Sequence, residues 1–152
     1  MKVEILPFEE RISLGATHRC RVFESDLTQA AANTAQVIKL MDLPAGSIVR
    51  NVALVTHQTF AASGDAAFNT TAVTVGDAGT ANLFVTSTEL NANGAVVRTK
   101  AGTGTQKAYD AAAVLNVTFN AMALKSLVNL DSGELWVFVE IVSVGSYDGG
   151  NI

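Results

Sequence analysis

His18 and Cys20 stand two residues apart, and in a β-strand that spacing puts both side chains on one face, where they could begin a metal site. Zinc takes three or four nitrogen or sulfur ligands, and His57 is the one other imidazole in the chain. The ordinary reading is therefore a strand carrying one polar and one small apolar residue, with no metal. Nucleophilic catalysis by serine or cysteine needs a base held by a third group, and no G-x-S-x-G sequence accompanies either histidine. Acidic pairs such as Glu9 with Glu10, or Asp110 with Glu89, are not set across a cleft by their spacing. The glycine-rich pieces around Gly76 and Gly79 and around Gly102 and Gly104 lack the spacing of a phosphate-binding loop and read as turns. No catalytic residue, metal ligand or cofactor site is expected.

Aromatic side chains are the remaining chemistry, since many β-sandwiches bind carbohydrate on aromatic platforms. Trp136 and Phe138 lie in the most apolar segment, ELWVFVEIVSV, and are expected in a core or a self-interface. Tyr109, in the stretch KAGTGTQKAYDAAA, and Tyr147, in the tail SYDGGNI, are the candidates for a surface or receptor contact.

The 152-residue chain has room for one domain with a single core. Charged residues make up 16% of it, against about 25% for an ordinary globular domain, and low charge with high apolar content favours association with other protein. Ten basic and fourteen acidic side chains are scattered without a cationic run, so nucleic-acid binding is not expected. No apolar run is long enough to span a membrane, and the opening MKVEILPFEER, with its glutamates and proline, does not read as a signal peptide. A protein made in a cytoplasm is expected, and the single cysteine, Cys20, admits no internal disulfide and reads as a buried thiol.

Short alternating apolar runs separated by Gly, Asn and Pro turns predict an all-β fold, a single antiparallel β-sandwich of jelly-roll type with little helix. Strands are expected over 19–24, 37–41, 48–58, 72–76, 82–88, 114–119 and 134–144. The reading puts Ile38 with Leu40, Val52 with Leu54, Val73 with Val75, and Leu83 with Val85 but opposite Phe84. Residues 100–113 are expected as a long exposed loop, and 121–130 as one or two helical turns. In the last strand Leu135, Val137, Val139 and Ile141 share one side and Trp136 and Phe138 the other. A sheet in a two-layer sandwich has one core face, so this second apolar face must be covered by the amino-terminal segment or by another chain. Residues 1–15, with Pro7, Phe8, Glu9, Glu10 and Arg11, are expected as an arm outside the sandwich domain of residues 16–152.

The stretch DLPAG, followed by an alternating strand, a Phe with a small polar loop, then TVGD and a further strand, resembles bacteriophage virion proteins with a β-sandwich fold, including head decoration and minor capsid components. Asp42, Leu43, Pro44, Ala45, Gly46, Val52, Leu54, Phe60, Val73, Val75, Gly76 and Asp77 carry the likeness. The resemblance implies a non-enzymatic decoration or cement protein on the capsid surface of the virion, with the major capsid protein as its partner. It implies a homo-oligomer, a trimer if it sits at a threefold position, with a dimer left open. On this view residues 7–11 contact the capsid and Trp136 and Phe138 form the self-interface. The alternative is a tail, adaptor or head-fibre component, with glycan or receptor binding through Tyr109 and Tyr147.

Overall fold

The computed structural model describes residues 1–91, 100–120, 122 and 124–143. Ten strands occur among them: β1 (Lys2–Ile5), β2 (His18–Phe23), β3 (Gln36–Leu43), β4 (Ser47–Ala61), β5 (Ala72–Gly76), β6 (Val85–Glu89), β7 (Lys100–Ala101), β8 (Lys107–Tyr109), β9 (Ala113–Phe119) and β10 (Ser132–Ser143). They form two antiparallel sheets. The larger has six strands in the order β1-β2-β10-β4-β7, with β8 also paired to β4, and the smaller has four in the order β3-β9-β5-β6. An all-β sandwich is therefore the observed architecture, as the alternation predicts.

Period-two patterning explains most of the core, and a bulge at Leu40 in β3 resets the period so that Leu40 and Leu43 both face inward. Leu135, Val137 and Val139 of β10, Val52 and Leu54 of β4, and Cys20 and Val22 of β2 line the inner face of the large sheet. Leu40 and Leu43 of β3, Val73 and Val75 of β5, and Leu115, Val117 and Phe119 of β9 oppose them from the small sheet. Phe60 and Phe119 meet across the layers with ring centroids 5.2 Å apart, and each buried aromatic contributes roughly 1.5–3 kcal/mol. Burial pushes the Cys20 thiol up to about 12, so the sulfur behaves as a small apolar side chain.

The turns follow from their residues. Ser47 N–H donates to the Pro44 carbonyl at 3.1 Å and Gly46 holds φ +80°, the left-handed position that a type II turn demands of its third residue. Gly133, at φ +151°, lies so close to the Phe60 ring that a Cβ would sit 2.3 Å from a ring carbon. This close approach seats Phe60 in the core at the start of β10.

Three sequence expectations are corrected. Phe84 and Val85 are both buried, because residues 81–84 form a turn that breaks the alternation before β6 begins. Residues 100–113 are not an exposed loop: β7 and β8 add two short strands to β4, and Tyr109 is only 7% exposed. The stretch 121–130 needs no correction, since its described residues include one short helical turn, the 3-10 turn Leu127–Asn129. Residues 1–15 are docked on the sheet: β1 pairs with β2, Leu6 is buried, and a short helix, α1 (Phe8–Leu14), returns the chain to β2.

Two outcomes test this packing. Gly133→Ala should lower stability by about 2–3 kcal/mol in urea titration, through overpacking against Phe60 and an unfavourable φ. Cys20 should not react with a disulfide reagent at neutral pH in the folded protein and should react fully in denaturant.

Candidate interaction surfaces

The outer face of the large sheet carries the first surface. Arg21 lies opposite Trp136, and Arg19 opposite Phe138, in the β2–β10 ladder, while Val55 and Ala53 of β4 flank them on the other side. The Arg19 guanidinium sits 5.0 Å from the indole centroid and that of Arg21 5.7 Å, both within cation–π range. The His57 ring stacks on the indole at 4.6 Å with an interplanar angle of 8°. Phe138 meets the indole edge-on at 6.3 Å. Trp136 and Phe138 are thereby half-buried by flat cationic and aromatic groups of their own chain. At the edge of the same sheet the amino-terminal segment extends it sideways through β1.

Glu134 ties this surface together. Its Oε1 accepts from the Trp136 indole N–H at 2.7 Å and from Arg21 Nε and Nη2 at 2.8 and 2.7 Å, and its Oε2 lies 3.8 Å from His57 Nε2. Burial alone would raise the Glu134 pKa, but the hydrogen bonds from Trp136 and Arg21 and the nearby charges outweigh it and hold the carboxyl below its ordinary range. One strand further out, Glu4 accepts from Arg19 at 2.6 Å and pairs with Lys2 at 2.5 Å, and these bonds bring its carboxyl down to about 2. His57 thus stands on the face opposite Cys20, so the three candidate metal ligands of the sequence do not converge. His18 instead bonds its neighbour Thr17 at 2.8 Å.

A second feature is an open groove of about 540 Å³ lined by Asp77, Lys107, Tyr109 and residues 110–114. Asp77 organises it. Oδ1 accepts from the Gly79 and Thr80 N–H groups, each at 2.9 Å, closing the turn after β5; Oδ2 accepts from Lys107 Nζ at 2.6 Å and from the Tyr109 hydroxyl at 2.9 Å. Burial would raise the Asp77 pKa, and these four bonds together lower it; the same burial and the Asp77 charge push the Tyr109 phenol up. The hydroxyl of Tyr109 is therefore engaged inside the chain, contrary to the expectation of an exposed ring. Tyr147 lies outside the described residues.

The third surface is the amino-terminal edge. Phe8 is 74% exposed at the start of α1, Ile5 is 67% exposed and Val3 42%. Val3 pairs with Cys20, so Val3 and Ile5 face the same way as the inner side of the large sheet, yet both are exposed at its β1 edge. Pro7, Glu9 and Arg11 are exposed beside them, and Arg11 Nε bonds the Leu6 carbonyl at 2.6 Å. Sequence reasoning singled out residues 7–11 but missed Val3 and Ile5. Their alternation with Lys2 and Glu4 was the available signal.

Among the described residues, no cluster of three or more metal-ligating side chains occurs, and no helix is long and apolar enough to cross a membrane. Because the folded state holds Glu134 and Asp77 at lowered pKa, their stabilisation is full above the unfolded carboxylate value, near ~4, and is lost as pH falls through the folded values. Glu134→Gln should cost about 1–3 kcal/mol at neutral pH. The gap between variant and wild type should narrow in acid, read by tryptophan fluorescence during urea unfolding.

The sandwich is similar to two solved phage chains. One belongs to the cyanophage Pam1 capsid asymmetric unit, with 20% identity over 80% of this chain and 79% of that one and a TM-score of 0.56. The other belongs to the acidic stable capsid of Helicobacter pylori bacteriophage KHP30, with 18% identity over 83% of this chain and 90% of that one and a TM-score of 0.50. No family model and no curated protein matches the sequence. At these identities the likeness is one of fold, and the β-sandwich implied by the sequence resemblance is the fold that this chain shares with chains of phage capsids.

Proposed function

We propose that this chain is a non-enzymatic structural protein of a bacteriophage head, a decoration or cement protein that binds the assembled capsid and stabilises its lattice. The observation that carries the reading is the fold shared with chains of two phage capsids over about four-fifths of this chain. The sequence likeness over residues 36–90 points the same way. Exposed apolar side chains at the amino-terminal edge supply surface for a protein partner. The proposed capsid contact is the ledge of Pro7, Phe8, Glu9, Glu10 and Arg11, with Phe8 as its apolar anchor. A protein that binds only the assembled lattice stabilises it by mass action, and many copies on one shell multiply the effect. The tail or receptor-binding alternative drew on Tyr109 and Tyr147; the Tyr109 ring is buried, and Tyr147 lies outside the described residues.

Co-sedimentation of the purified protein with phage heads that lack it tests this reading, with copies per capsid and the disruption temperature of the heads measured together. Saturable binding in hundreds of copies, with a raised disruption temperature, is expected. Binding of a few copies at one vertex, or none, would move the role to the tail or adaptor. Phe8→Ser should weaken head binding about tenfold or more while leaving the melting temperature of the free protein unchanged.

A further inference from the structure

The open edge of β1 has its own geometry. Leu6 N–H donates to the Thr17 carbonyl at 2.9 Å, which continues the β1–β2 ladder by one residue. Antiparallel ladders alternate, so Lys2 and Glu4 exchange hydrogen bonds with β2, while Val3 and Ile5 turn their N–H and C=O groups outward. Among the described residues no strand pairs with that outer side. The edge joins unpaired backbone groups to exposed apolar side chains, the combination that templates strand addition.

We infer that β1 is a self-association edge, where a second copy adds its own β1 antiparallel across a twofold axis and makes the large sheet continuous through both copies. Val3 stands opposite Val3 of the second copy in this pairing, and each donates its N–H to the other's carbonyl. The charges choose the register. With Val3 on Val3, Lys2 faces Glu4 of the second copy, and Glu4 faces its Lys2, both on the outer face. Sliding by one hydrogen-bonded step in one direction sets Lys2 against Lys2. Sliding by one step in the other sets Glu4 against Glu4, and a further step brings Pro7, which has no N–H, opposite Val3. Like charges directly opposed across strands are unfavourable, so the self-complementary register is the one with two crossed ion pairs. It ends at Ile5 and leaves Phe8 uncovered. Its occupant is therefore compatible with a separate contact at residues 7–11, and the inference stands independently of the capsid reading.

Val3→Pro isolates the edge. It removes an N–H that makes no bond within the chain, and proline is tolerated on an edge strand when its missing donor faces solvent. Sedimentation velocity across the micromolar range should show a reversible dimer for the wild type. The dissociation constant should rise about tenfold or more in Val3→Pro, with an unchanged circular dichroism spectrum. Lys2→Glu, which leaves the backbone untouched, should weaken the dimer comparably by placing glutamates opposite each other. A protein that stays monomeric throughout, a trimer, or a dimer unmoved by both variants and lost in Trp136→Ala would overturn the inference.

Discussion

A strand that is apolar on both faces has to be covered twice, and β10 sets that condition for the whole molecule. One face is met in the usual way, by the small sheet across the apolar core. The other is met by side chains of the neighbouring strands, chosen for flatness as well as charge. Guanidinium and imidazole groups can lie against an indole while keeping a hydrated edge, which aliphatic cover could not do. Glu134 then fixes these groups in place, and the face is at once covered and polar. The amino-terminal segment, for its part, extends the sheet at its margin.

Much of this was legible in the amino-acid sequence because inner and outer positions alternate so regularly. The strand from Leu135 to Ile141, the run from Leu115 to Phe119, and the turn at Pro44 to Gly46 could be read from period and turn chemistry alone. Readings failed where the stabilising partner lies far away in sequence. Nothing near Tyr109 announces that Asp77 will accept its hydroxyl, so a stretch of Ala, Gly and Thr looked like an exposed loop. Phe84 was misassigned because a turn residue is free of the strand period.

The candidate surfaces divide the same way. Residues 7–11 stood out by composition, and Trp136 by the apolarity of its strand. The cationic cover over Trp136 depends on β2 lying beside β10, although the two are more than a hundred residues apart in sequence. The exposure of Val3 and Ile5 depends on β1 being the edge of the large sheet, a property of topology that no local pattern encodes.

The unequal lengths of the ladders also bear on how the sandwich responds to force. β4 and β10 are joined along nearly the full twelve residues of β10, whereas β1 is joined to β2 along four. A pull directed along the central strands must shear a long row of hydrogen bonds together. A pull applied outward at the amino-terminal edge can peel a short row one bond at a time. The molecule is therefore mechanically anisotropic, stiff along its centre and compliant at the margin where its most exposed apolar side chains lie.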